Sequence, residues 1–419
     1  MFREPTAFIL GAGASYHYNY PTGEQLVKAA IKKAQHLENF ISQHTQTGFI
    51  SSCWPKYIAE KYNYSDDPDE VSFDKKPELW EKTKDECKAF AQNLKHSNSL
   101  LIDYFLANNE ELRSIGKLIV AWVILECETE YFSKGGNQNR IKILENSIIG
   151  SKQKEASDLK HQLRNNGCPD DWCRFILHKL VTGWDKEQRL KDNQVTFVTF
   201  NYDVSLETIL QRGLRSFGKE LISDQEISDF FDEKNQRFLH VYGKICADAR
   251  QSRTYLTLEP PTDNNVAQAN LLKMLHLQSW FDAAYSASQN LKLVGIHEKS
   301  NNKEILDGAK EALLDAKNIY ILGYGFDAEN NKLLNLPQAT RAHNVNNKFI
   351  YFTNYEDKNA INKRASHLFF DRKDGFLDKY IRDENDHGDI PNLASRRNYY
   401  EKSTRDAYQA LERDFDFID

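Results

Sequence analysis

The sequence has no basic excess. Its 55 Lys and Arg stand against 61 Asp and Glu, a formal charge of −6 at pH 7, which argues against a dedicated nucleic-acid binder. Cysteine is sparse and scattered: the six residues lie at 53, 87, 127, 168, 173 and 246. No two stand at C-x-x-C spacing, so neither a zinc ribbon nor a thioredoxin-type site is readable. Cys168, Cys173 and His178, with His161 upstream, are the candidate metal set. Their spacing does not align them on one helical face and matches no zinc pattern, so no metal is expected. No leader-like segment opens the sequence, and reduced thiols in a cytoplasm are the expectation. The longest apolar run, Leu118 to Leu125, falls far short of the ~20 residues of a membrane span. It lies in an amphipathic pattern with Leu112, Ile115, Ile119 and Trp122, which reads as a core helix.

What is present points to a large folded α/β protein. The 419 residues suggest two to three domains, or one α/β domain with an insertion. Mean hydropathy is low at −0.67, yet 24 Phe and 20 Tyr argue against disorder. Ala7 to Leu10 is an apolar run ending in Gly11-Ala12-Gly13-Ala14-Ser15, and Thr22 with Gln25 forms a capping-box pattern ahead of a helical repeat. Strand, Gly-rich loop and helix in that order open a nucleotide-binding α/β domain. A helix-rich stretch follows over residues 25–190, with an acidic loop at Lys61–Lys76, two helices around Asn108-Asn109 and a polar helix near Asn137–Ser157. Strands are then expected at Val195–Phe200, Phe238–Tyr242, Leu291–Ile296, Asn318–Leu322 and Phe349–Thr353, separated by helical patterns such as Glu304–Leu314. Alternation of this kind implies a Rossmann-like parallel sheet with helices on both faces and a large helical insertion after the first strand. Residues 361–419 read as a C-terminal tail packing on the domain.

Several strand ends carry polar groups, and ligands of open α/β sheets bind at such ends. Gly11, Ala12, Gly13, Ala14 and Ser15 have the shape of a phosphate-binding turn, where glycines admit a diphosphate and a helix N-terminus offers N–H groups. An ordinary tight turn explains them equally well. Thr199, Asn201 and Asp203 bring a hydroxyl, an amide and a carboxylate to one strand end, with helix capping by Asp203 as the bland alternative. His240 lies on a strand that ends at Gly243; Gly323-Tyr324-Gly325 and Thr353-Asn354 end two further strands.

Together, Phe8 to Ser15, Thr199-Phe200-Asn201-Tyr202-Asp203, His240-Val241-Tyr242-Gly243 and Gly323-Tyr324-Gly325 resemble, in order, the motifs of the sirtuin-like NAD-binding domain, over most of residues 1–360. The family's four-Cys zinc module has no counterpart. Of its Pro-Asp-Phe-Arg segment only Pro21 matches, and its His directly precedes the Gly, where this chain has Tyr242. These departures leave peptide deacylation as a third choice. Asn98 to Leu106, which holds Asp103, with the later Gly116-Lys117 and the segment Glu401 to Phe415, is similar to the bacterial antiphage branch, whose sirtuin-like domains hydrolyse NAD.

The resemblance implies an NAD+ hydrolase that depletes NAD in abortive infection. Asn201 would orient the water and His240 would act as general base. Gly11, Ala12, Gly13, Ala14 and Ser15 would hold the diphosphate. Pro21, Asp103, Thr199 and Asp203 would line the remaining contacts, with Gly323, Tyr324 and Asn354 along the adenosine half. NAD+ is then substrate, with no metal. By the same analogy the expected partners are further copies of the chain, a HerA-like ATPase or a short Argonaute-type protein. Ile115, Ile119, Trp122 and Val123 form the stripe expected to meet a partner or to pack within the insertion. A non-enzymatic NAD or ADP-ribose sensor is the alternative from another class.

Overall fold

The computed structural model describes residues 1–45, 50, 53–63, 75–99, 101–133, 172–183, 189–217, 222–245, 256, 260, 262–263, 265–293, 302–341, 348–370, 382–383, 398–415 and 417. The region expected to form a polar helix at Asn137–Ser157, most of the acidic loop, and His161 and Cys168 lie outside them.

The apolar runs pair into a seven-stranded sheet in the order β3-β2-β1-β4-β5-β7-β6. Its strands are β1 (Thr6–Leu10), β2 (Val195–Thr199), β3 (Phe238–His240), β4 (Asn318–Leu322), β5 (Lys348–Thr353), β6 (Arg382–Asp383) and β7 (Asn398–Ser403). Every pairing is parallel. Strands buried on both faces read as continuous apolar runs, and β1, Thr-Ala-Phe-Ile-Leu, is buried throughout. Parallel register stacks one row of aromatic rings across the sheet. Phe238, Phe197, Phe8, Tyr320 and Tyr351 are register partners in turn, with ring centroids 4.7–5.1 Å apart. Phe415 and Phe417 pack onto this row at Tyr351, Tyr320 and Phe8.

Sequence alone misplaces three features. Of the strand expected at Leu291–Ile296, residues 294–296 lie outside the described residues, and 291–293 do not join the sheet; Leu291 makes an isolated antiparallel bridge to Gly243. β3 stops at His240, so Tyr242 is not on the strand. The segment after residue 360 is more than a covering tail, because β7 extends the sheet beyond β5. β7 looks too polar for a buried strand. It is admitted because Lys402, 3% exposed, reaches Asp357, and the Ser403 hydroxyl donates to Asp414. At the other end of β5, buried Lys348 donates to the carbonyls of Leu313 and Leu314 at 2.8 and 2.6 Å. These close the last turn of helix Lys303–Asp315, where a cation is favoured.

The chain divides into two units. The first holds the sheet: residues 1–18, 170–241 and 300–419. The second comprises 19–169 and 242–299. The helix-rich part is therefore not one insertion over 25–190. Helix Cys173–Val181 belongs with the sheet: Trp172, just before it, donates from Nε1 to the carbonyl of Ala14 at 2.8 Å, and the Cys173 N–H donates to the Tyr18 hydroxyl at 3.1 Å. The later helix Val266–Ser288 belongs with the helical unit. There Trp122, from helix Arg113–Ser133, stacks on Trp280 at 5.9 Å and meets Phe281 edge-on at 5.0 Å. The stripe of Ile115, Ile119, Trp122 and Val123 is buried inside the chain and needs no partner to cover it. Gly116 on the same helix is a packing glycine: a Cβ there would stand 2.3 Å from a methyl of Leu106.

Candidate functional site

The in-register residues Leu10, Thr199 and His240 end β1, β2 and β3. Two residues earlier on each strand lies the aromatic row, so these three side chains share its face. Above them a cavity of about 10 Å³, the room of roughly one water, is lined by Ser15, Thr199, Asn201, Asp203, Glu207 and His240 among others.

The polar groups form one network. The Thr199 hydroxyl accepts from the Asn201 N–H at 3.0 Å, which folds the chain back at the end of β2. That turn aims the Asn201 amide at the first Gly-rich turn, where Nδ2 donates to the Gly11 carbonyl at 3.0 Å and to the Ser15 hydroxyl at 2.8 Å. Asp203 accepts from the Ser205 N–H at 3.1 Å and from the Ser205 hydroxyl, a local turn ahead of helix Ser205–Ser216, whose N-cap is Val204 with no side-chain cap. Burial pushes its carboxyl above the usual range, against hydrogen bonds from Ser205 and Ser15 that pull it down. Nδ1 of His240 lies 3.1 Å from the Asn201 carbonyl oxygen and Nε2 lies 2.8 Å from Glu207 Oε1. Both ring nitrogens are engaged.

The turn expected to hold a diphosphate has a different local partner. The Gly13 N–H donates to the Gly323 carbonyl at 3.0 Å, and the Ala14 N–H to the Gly11 carbonyl at 2.9 Å. Gly323, at φ +59°, would place a Cβ 2.1 Å from the Ala14 nitrogen. The turns after β1 and β4 thus interlock through backbone, and close approach of two turns accounts for their glycines. Ala12 opens the short helix Ala12–Tyr18.

No family model, curated protein or solved structure matches this chain. The site's meaning rests on its own geometry.

The remaining candidates lie elsewhere. Tyr324 is buried, its ring stacked 5.1 Å from Phe200 and its hydroxyl donating to Asn331 at 3.0 Å. Asn354 is buried and spent on its own loop. Its Nδ2 donates to the Lys358 carbonyl and to Asn362, and its Oδ1 accepts from the Lys358 N–H. Pro21 and Asp103 belong to the helical unit. Asp103 stands in the first turn of helix Ile102–Asn108, and burial pushes its carboxyl up to about 7. Cys173 is buried and His178 sits in the last turn of the same short helix; no group of three or more metal-ligating side chains forms among the described residues.

Glu207 was not legible as a site residue. It follows Asn201 by less than two helical turns and reads as one polar position of an amphipathic helix. The available signal was that an acidic residue in the first turn after Asn-Tyr-Asp sits within reach of the neighbouring strand end.

Proposed function

We propose that the chain is an NAD+ hydrolase that cleaves the bond between nicotinamide and ribose. One observation carries the reading. Ser15, Thr199, Asn201, Asp203 and His240, spread over 225 residues of sequence, line a single cavity at the carboxyl ends of three adjacent parallel strands. Nicotinamide leaves neutral from a cation, so the protein must place a water and stabilise an oxocarbenium-like ribose, the need that glycosidases also meet. The cavity is the size of the nucleophile's place. On this reading Asn201 would orient that water and a ribose hydroxyl through its Oδ1, and His240 would receive a proton once one of its engaged nitrogens is released. The dinucleotide is far larger than the cavity, so turnover on this reading requires the site to open. Opening is a point at which self-association or a partner can gate activity, whether a HerA-like ATPase or a short Argonaute-type protein; an antiphage effector that depletes NAD needs such a gate.

A second reading, a nucleotide sensor without cleavage, is favoured by the engagement of Asn201 and both His240 nitrogens in the chain's own hydrogen bonds. A third, deacylation without zinc, stays with it. Incubating the purified chain with NAD+, with and without an acyl-lysine peptide, separates them. Release of nicotinamide and ADP-ribose without peptide supports hydrolysis, and binding without release supports the sensor. Dialysis against a strong chelator is expected to leave hydrolysis unchanged; loss restored by zinc would revive the Cys173 and His178 region as a metal site.

A further inference from the structure

Helix Ser205–Ser216 carries Glu207 in its first turn and brings Oε1 to 2.8 Å from His240 Nε2. On the other side of the ring, Nδ1 faces the Asn201 carbonyl at 3.1 Å. A carbonyl oxygen only accepts, so Nδ1 carries a hydrogen. The Nε2–Oε1 contact needs a hydrogen of its own, since a ring lone pair against a bare carboxylate oxygen would repel. The two side chains therefore bind one proton more than a neutral imidazole beside a separate carboxylate. They do so as imidazolium with carboxylate or as imidazole with carboxylic acid, and both arrangements are net neutral. Burial favours neutrality: the two side chains are 4% and 10% exposed. Asp203 is the other ionisable group lining the cavity; the rest of the described lining is apolar, hydroxyl or amide. A Glu207 carboxylate that lost the shared proton would leave a second acidic group beside Asp203 without its counter-charge.

We infer that Glu207 is a positioning residue that holds a shared proton against Nε2 of His240 and thereby sets the pH at which that ring can accept another. In the arrangement seen here the ring is parked, because neither nitrogen has a lone pair to offer. The pair becomes a base when the shared proton leaves to solvent, giving an Nδ1–H imidazole and a Glu207 carboxylate. On the NAD-cleavage reading, on which this step alone rests, a water O–H bond then breaks and the oxygen bonds to ribose C1′. The C1′–N bond to nicotinamide breaks and its electron pair goes to the nicotinamide nitrogen. The released proton returns to the position between Nε2 and Oε1, restoring the pair.

The test is ring-¹⁵N NMR of the histidine-labelled full chain, with the His240 signals among the 12 histidines assigned by their loss in His240→Ala. In the wild type, Nδ1 should be protonated and Nε2 should share a proton at neutral pH. Glu207→Gln should lower the His240 titration midpoint by about one pH unit or more, because the carboxylate that favours the protonated ring is gone; Glu207→Asp, which keeps the charge, should retain most of the wild-type value. An unmoved midpoint in a folded Glu207→Gln chain overturns the inference. So does a wild-type ring that titrates like a free imidazole near ~6.5, a result that decides the matter even where the variant fails to fold. If the chain cleaves NAD+, the acid limb of kcat/KM should move to lower pH with Glu207→Gln by the same amount as the ring. A chain that cleaves no NAD+ lacks that limb and refutes the hydrolase reading, while the ring titration still decides whether Glu207 and His240 share a proton.

Discussion

The carboxyl end of the sheet has two halves that look alike in sequence and differ in what their polar groups do. At β1, β2 and β3 the side chains of Ser15, Thr199, Asn201, Asp203, Glu207 and His240 surround a cavity. At β4 and β5 the equivalent groups are consumed by the chain. The Thr353 hydroxyl accepts from the Gly323 N–H at 2.8 Å, the Tyr324 hydroxyl donates to Asn331, and the Asn354 amide closes its own loop. A polar residue at a strand end is therefore a weak sign of a ligand. What distinguishes the halves is whether the groups converge on shared space or are taken up by neighbouring backbone and side chains, and this depends on which strands become neighbours.

The largest expected effect falls on the cavity half. On the proposed NAD-cleavage reading, Asn201→Ala should lower NAD+ turnover by ~10²-fold or more, as expected for a residue that would position a reacting water, with the fold retained by circular dichroism. Near wild-type turnover of the folded variant would remove the distinction between the halves.

The next effect joins them. Gly323→Ala forces a side chain into a left-handed backbone conformation and against the Ala14 nitrogen, so it should cost about 2–4 kcal/mol of stability. Denaturant unfolding measures it, and a loss below about 0.5 kcal/mol would mean that the interlocked turns are not a structural unit.

A smaller effect belongs to the other half. Asn354→Ala removes buried hydrogen bonds to Lys358 and Asn362 and should cost about 1–2 kcal/mol; on the proposed hydrolase reading it should leave kcat within about twofold of wild type. A large fall in kcat at unchanged stability would place Asn354 with the reacting groups after all.

A pH-dependent effect concerns Asp103 of the helical unit. Burial raises its carboxyl from an ordinary 3.8 to about 7, so the folded chain binds the proton more tightly than the unfolded chain. Its stabilising contribution is complete below about pH 4 and is lost as pH rises through about 7. Asp103→Asn should therefore raise the thermal midpoint by a few degrees at pH 8 relative to wild type and lose that advantage at pH 4. Parallel melting curves at the two pH values would contradict the assignment.

Much of the sheet was legible because buried parallel strands are written as apolar runs. Asn318–Leu322 reads directly, the strand expected at Val195–Phe200 runs one residue too far, and the run from Ala7 to Leu10 lacks only Thr6. β7 was not legible, because its Lys402 is carried by Asp357 on another segment and its Glu401 accepts from Tyr399 of the same strand. The helical unit was half legible: helix Arg113–Ser133 follows from its apolar pattern, but its covering helix Val266–Ser288 lies beyond two strands of the other unit. Of the cavity, Asn201 and His240 were visible as polar groups at strand ends. Glu207 was not, because its importance arises only when β3 pairs with β2.

The aromatic row across the sheet also has a consequence in time. Its central ring, Phe8, stacks between Phe197 and Tyr320, so β1 has both edges unpaired until strands that lie far downstream have been made. At ~5–20 residues per second of synthesis, the roughly 300 residues between β1 and the end of β4 take about 15–60 s. Throughout that interval the emerging chain presents Thr-Ala-Phe-Ile-Leu as an open sticky edge. Folding during synthesis should therefore be sensitive to what covers Thr6–Leu10 before β2 and β4 are made, and yield should respond to chaperone supply and translation speed.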